Sequence, residues 1–193
     1  MGGNYAEHAG VFLIQTLFGL YILAIMLRFL LQWVRADFYN PVSQFLVKIT
    51  NPLLKPLRRL IPGFGGMDLA AIVLMLLLQM LELFLVGVIV GQAFNPLGVL
   101  LMSVGELLSL AVYVFIFAII IQIILSWIQP GSYNPIIGLV NRIAEPLLAP
   151  ARRLIPPISG LDLSPLAVLI LLQLTLILLV SPVKDLGRML AFQ

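Results

Sequence analysis

The chain has 193 residues, 62% of them hydrophobic and 10% charged, and its mean hydropathy is +1.14. A soluble domain carries about 25% charged residues, so this composition excludes one and defines an integral membrane protein whose length counts spans. The absence of Cys excludes disulfides, thiolate metal sites and thiol catalysis, and the net charge of +3 informs only through its placement.

Val11 to Val34 is the first expected span. It would rise about 36 Å as a helix, enough to cross a ~30 Å core with some tilt. The residues before it lack a basic segment and no small-residue cleavage site follows it, so it reads as a retained span. Arg28 and Gln32 lie near its far end, and Trp33 stands at the exit, where an amphipathic ring prefers the headgroup level. Asn40-Pro41 then starts a helix, an Asn cap with Pro at the first helical position. Val42, Phe45, Leu46, Ile49 and Leu53 place one apolar stripe on it, and it is too short and too polar to span. Such a helix suits the membrane interface. Pro52 and Pro56 are expected to break or kink it, since neither donates a backbone hydrogen bond. Leu57, Leu60 and Ile61 extend the apolar side, with Lys55, Arg58 and Arg59 facing away, and Gly63 to Gly66 turn the chain back. Asp68 caps a second span, Leu69 to Gly91. A polar turn from Gln92 to Pro96 follows. Residues 97–128 are apolar almost without pause and would make a helix of about 48 Å, too long for one span. The third span is placed at 105–128, with 97–104 as an interfacial segment or overhang. A second hairpin covers 129–162, and Leu163 to Val180 forms a fourth span stopped by Ser181-Pro182. A tail with Lys184 and Arg188 closes the chain.

The second half repeats the first at an offset of 94 residues without a gap, with 20 of 47 positions identical from Trp33 to Gln79. Trp33, Tyr39-Asn40-Pro41, Arg58-Arg59 and Asp68 recur as Trp127, Tyr133-Asn134-Pro135, Arg152-Arg153 and Asp162. Ile136, Leu139, Val140, Ile143 and Leu147 repeat the apolar stripe. Leucine-rich segments match by chance; a Trp, an Arg pair and a proline string do not, so the internal repeat is secure. The expected fold is an all-α membrane protein of four transmembrane helices in two parallel repeats, 1–96 and 97–193, each a helix, an interfacial amphipathic hairpin and a helix. Two spans per unit give both units one orientation, related by an axis along the membrane normal. Eight basic residues lie in the hairpins (35–68 and 129–162) and only Lys184 and Arg188 on the opposite side. The positive-inside rule puts the hairpins in the cytoplasm and both termini in the periplasm.

Gln79 and Gln173 are equivalent and fall near mid-membrane, where an unpaired amide is costly, so each is expected to face protein. They serve either as interhelical glue or as a polar lining for a solute path. Glu82 is a carboxylate deep in a span, and its repeat partner is Leu176. By depth, Arg28 fits Gln79 better than Glu82. The Arg pairs, with Lys55, either hold the loops in the cytoplasm or dock anionic lipid or an acidic partner. Basic clusters also bind nucleic acid without sequence preference, but direct binding is not expected here. No Ser/His/Asp set, metal constellation or phosphate loop is present, so no catalytic, cofactor or metal residue is assigned. Gly87-x-x-x-Gly91 fits a helix-packing motif, which is a weak signal in an apolar span.

Through its duplicated Trp, Tyr-Asn-Pro, Pro-Leu-Leu-x-Pro-x-Arg-Arg-Leu-Ile-Pro and Gly-x-Asp-Leu, the chain resembles the YggT (YlmG) family over essentially its whole length, as two family repeats. The resemblance implies a bacterial or plastid membrane protein. The roles it carries are cell division and nucleoid distribution, cytochrome b6 haem attachment, and tolerance of osmotic or salt stress. Single-repeat members imply that each half is a complete unit able to dimerise. No catalytic residue is carried over. In the second copy Ala149 and Ala151 replace Lys55 and Leu57, which makes the first hairpin the more basic. The leading expectation is a non-enzymatic organising or assembly factor of the bacterial inner membrane, engaging lipid or partner proteins through its hairpins. The alternative is a small ion channel or transporter using Gln79, Gln173 and Glu82.

Overall fold

In a computed structural model, residues 3–92, 95–128, 134–155 and 162–191 are described. The described residues form α1 (Gly3–Trp33), α2 (Pro41–Leu60), α3 (Leu69–Val90), α4 (Pro96–Ile128), α5 (Pro135–Leu154) and α6 (Ser164–Thr175), then a π-helical turn (Leu176–Val180) and α7 (Ser181–Ala191). Four helical stretches are long and apolar enough to cross a membrane: Tyr5–Trp33, Leu69–Val90, Pro96–Ser126 and Ser164–Ala191. Their outer faces expose Phe12, Leu17, Phe84, Phe117, Leu171 and Leu178, a surface that lipid covers without cost. Landmarks Tyr133, Pro156, Gly160 and Leu161 lie outside the described residues, as does the side chain of Trp127.

The ends of the elements follow from local chemistry. α1 closes with Arg35 in the left-handed region (φ 51°). The amides of Arg35 and Ala36 donate to the carbonyls of Gln32 and Leu31, a Schellman pattern. Asn40 caps α2 by accepting from the Ser43 amide at 2.9 Å, with Pro41 in the first turn. Gly65 and Gly66 take positive φ in the two-residue turn between Phe64 and Met67, which exchange both backbone hydrogen bonds. Asp68 accepts from the Ala71 amide at the start of α3, and Gly91 ends that helix in the left-handed region.

α1 packs chiefly on α3, α4 on α7, and α3 on α4 across the two repeats. One core runs through both halves, with Ile22, Ile25, Leu54 and Met75 meeting Val114, Ala118, Leu139 and Ile143. A second cluster of Ile119, Ala144, Leu148 and Val168 seats α5. Asp37 and Asn40 of the first hairpin share a cleft with Pro135, Gly138 and Arg142 of the second, so both hairpins lie at the same end of the bundle.

Four boundaries depart from expectation. α1 begins at Gly3 rather than Val11. α2 runs unbroken through Pro52 and Pro56, as α5 does through Pro146 and Pro150. Pro52 and Pro56 are four residues apart on the exposed side, and the carbonyls that lose a donor belong to the exposed residues Lys48 and Pro52. The segment 97–104 is neither overhang nor separate: it is the start of the 33-residue α4, packed against α7. A Cβ at Gly98 would lie 2.2 Å from the Ala191 nitrogen, and one at Gly187 2.6 Å from the Met102 nitrogen, so the two backbones nearly touch. Finally, Ser181-Pro182 does not stop the fourth span. The turn before Pro182 widens, with the Ser181 amide and hydroxyl both donating to the Leu176 carbonyl five residues back. A π turn there relieves the clash a proline ring makes in a regular helix, and the chain continues to Ala191.

Candidate functional site

Two groups of polar residues stand out, one at the hairpin end and one inside the bundle. At the hairpin end, the two arginines of each pair have different roles. Arg58 Nε donates to Asp68 Oδ2 at 3.1 Å and its Nη2 bonds the same oxygen, while Asp68 Oδ1 caps α3. In the second repeat Arg152 Nε donates to Asp162 Oδ2 at 2.9 Å, while Asp162 Oδ1 accepts from the Ser164 amide. One carboxylate thus fastens the C-terminal end of α2 or α5 to the N-terminal end of the helix that follows it. Burial alone would raise the Asp162 carboxyl, but the contacts from Ser164 and the Arg152 guanidinium outweigh it and hold the pKa below the ordinary value. Arg58 and Arg152 therefore do not face away from the protein as expected. Lys55, Arg59 and Arg153 do: all three are exposed.

The buried face of α2 is Ser43, Leu46, Thr50 and Leu54, one step round from the expected stripe. Val42, Phe45, Leu53 and Leu60 of that apolar side are exposed instead. Thr50 faces inward because Arg28 is there to meet it. Arg28 is buried, and its Nη1 donates to Thr50 Oγ1 at 2.6 Å and to Asn51 Oδ1 at 3.0 Å. It therefore bonds α2 rather than Gln79. The Tyr21 hydroxyl adds a bond to the Ile49 carbonyl at 3.2 Å. At the equivalent positions the second repeat has Gln122 for Arg28 and Ala144 for Thr50, so α5 is held by apolar contact and the buried Gln122 Oε1 has no hydrogen-bond partner among the described residues.

Inside the bundle, Gln79 and Glu82 are both buried, and Gln79 Nε2 donates to Glu82 Oε2 at 3.2 Å. They border a cleft of about 320 Å³ that also meets Gln15, Ser109, Tyr113, Glu106 and Lys184. Lys184 Nζ and Glu106 Oε1 pair at 2.8 Å. Gln173, expected to face protein like its counterpart, is exposed, because α6 lies at the periphery where α3 lies between α1 and α4. Glu106 and Lys184 carry no sequence signal that places them at this cleft. Their repeat partners, Phe12 and Val90, are apolar, and a span ending at Val180 leaves Lys184 outside.

Fold and polar pattern define the class: an all-helical membrane protein of two tandem units, each with two long apolar helices and a shorter helix between them. The CCB3/YggT family profile matches this chain twice, at residues 8–89 and 101–183, and the chain belongs to that family. It is 50% identical over 175 residues to the uncharacterized protein PA0392 of Pseudomonas aeruginosa, covering 90% of this chain and 89% of that one. It is 43% identical over 165 residues to an uncharacterized protein encoded in the proC 3' region of Vibrio alginolyticus, covering 84% and 88%. To the uncharacterized protein YggT of Escherichia coli K12 it is 36% identical over 167 residues, covering 83% and 84%. No solved structure matches.

Proposed function

We propose that this protein is a non-enzymatic organising or assembly factor of the bacterial inner membrane whose two amphipathic helices bind anionic phospholipid headgroups. The hairpins then lie on the cytoplasmic leaflet and both termini reach the periplasm, in keeping with the excess of basic residues at the hairpin end. The observation that carries the reading is the mixed surface left over once Arg58 and Arg152 are tied to their aspartates. Lys55, Arg59 and Arg153 stand exposed beside Leu60, Phe64 and Leu154, each of which is more than three-quarters exposed. Cations beside bare apolar side chains suit the headgroup boundary, where each basic residue contributes about 1 kcal/mol against anionic lipid. Exposed Trp33 and Tyr39 at the same end fit an aromatic belt. The hairpins so anchored present a surface on which partner membrane proteins assemble.

Charge reversal at Lys55, Arg59 and Arg153 tests this without cutting the Arg–Asp latches. The full chain, purified in mild detergent, should retain less phosphatidylglycerol and cardiolipin than the parent, with reporter fusions showing unchanged insertion. Undiminished anionic lipid with correct topology would remove the headgroup reading. The cleft around Glu82 supports a second reading, a small channel or transporter. Proteoliposomes should then pass ions, and Glu82→Gln should alter the flux; silent, flux-free vesicles set it aside.

A further inference from the structure

Glu82 is a buried carboxyl whose ionised form has no cation of its own among the described residues. It sits about 20 Å along α3 from the hairpin end, inside the apolar bundle. Only Oε2 is engaged, by the neutral amide of Gln79, and among the described residues Oε1 receives no hydrogen bond. A carboxylate taken out of water is unfavourable unless a positive charge compensates it. The nearest candidates are committed elsewhere. Lys184 is held by Glu106, and Arg28 is bonded to Thr50 and Asn51 under α2. The cleft is therefore lined by two carboxyl groups and one ammonium, and an ionised Glu82 there would need a cation from outside the chain.

What fills the cleft is constrained by its size and lining. Its roughly 320 Å³ would hold about ten waters at ~30 Å³ each, far more than one bare ion needs. No group of three or more His, Cys, Asp or Glu gathers among the described residues, so the lining does not suit a tightly held metal. It offers instead hydrogen-bonding groups spread around one carboxylate: Gln15, Gln79, Ser109 and the Tyr113 hydroxyl. We propose that the cleft binds a small primary ammonium compound, whose charged nitrogen docks on Glu82 and whose body lies against Ser109 and Tyr113. The Lys184–Glu106 pair borders the outer part of the cleft: Lys184 lies about 30 Å along its span from the hairpin end, against about 20 Å for Glu82. The site requires binding alone, and stands whether or not a solute crosses the membrane and whether or not the hairpins hold lipid.

The test is thermal unfolding of the full chain in detergent at pH 8, titrated with ethylammonium chloride at an ionic strength fixed with choline chloride. The midpoint should rise saturably with ethylammonium and respond weakly to sodium or potassium chloride. Glu82→Gln should unfold no earlier than the parent without the probe, since the amide is near-isosteric and needs no counter-charge, and should lose the ethylammonium response. Lys184→Gln frees Glu106 and should tighten the apparent Kd several-fold, an increase that stands as evidence even where the Glu82 variant fails to fold. A flat titration overturns the proposal and leaves Glu82 a protonated structural residue. An equal response to sodium or potassium, or an ethylammonium response that survives Glu82→Gln, overturns it as well.

Discussion

Arg58 and Arg152 hold equivalent places in the two repeats, yet the carboxylates they serve are differently buried. The Asp68 side chain is 5% exposed and that of Asp162 36% exposed. Removing the partner of a buried charge leaves its desolvation uncompensated, whereas an exposed pair loses little. Arg58→Ala should therefore cost about 1–3 kcal/mol, discounted because Arg58 is itself partly in solvent, and Arg152→Ala about 0–1 kcal/mol. Thermal unfolding of both variants in one detergent reads the difference; equal losses would mean that burial of the aspartate does not set the load. The Asp162 latch also carries a pH signature. Its pKa in the folded chain is lowered from 3.8, so its contribution is fully present above that value and is lost as pH falls below it. Acid titration of the parent should show a stability decrement below that pH which Asp162→Asn lacks. The Asn40 and Asp68 caps could be read from the chain because a cap is a local pattern of neighbouring residues. The arginine latches could not, because an Arg ten residues before an Asp meets it only after the intervening turn has folded back. Burial of Arg28 likewise depends on Thr50 and Asn51, 22 and 23 residues away.

Among the elements, the join between α4 and α7 departs most from expectation, and it shows why. A stop at Ser181-Pro182 rests on the proline alone, and the π turn that absorbs it has no distinct residue pattern. Without α7 the sequence gives Gly187 and Ala191 no helix to belong to, and Gly98 falls in a segment read as interfacial or overhanging. The motif that did draw notice, Gly87-x-x-x-Gly91, has a different use: Gly91 is the left-handed cap of α3. Because a Cβ at Gly98 or Gly187 would fall within 3 Å of backbone atoms, Gly98→Ala and Gly187→Ala should each force the helices apart and cost about 1–3 kcal/mol. At Gly105 the nearest atom is the Lys184 Cγ at 2.4 Å, the middle of a flexible chain, so Gly105→Ala should cost less. Unfolding midpoints in the order parent, Gly105→Ala, then the other two would support this. A Gly98→Ala variant as stable as the parent would mean that α4 and α7 are not in backbone contact.

For the whole molecule, repetition at 94 residues made the architecture readable: each half corroborates the other, and both α2 and α5 begin at the Asn-Pro boundary. Repetition also hid what the halves do not share. Glu82, Glu106 and Lys184 have apolar counterparts, and the cleft they build lies between α3 of one repeat and α4 and α7 of the other. The proposed placement of the hairpins also fixes which way the bundle crosses the membrane. The chain contains no Cys, which makes single-cysteine labelling free of background. Phe64 at the hairpin turn is 78% exposed and Met189 near the opposite end 67% exposed, so neither substitution removes a buried side chain. A membrane-impermeant maleimide applied to intact spheroplasts should modify Met189→Cys at once and Phe64→Cys only after permeabilisation. Labelling of Phe64→Cys from outside would place the basic helices against the outer leaflet, and the headgroup reading would have to be reversed.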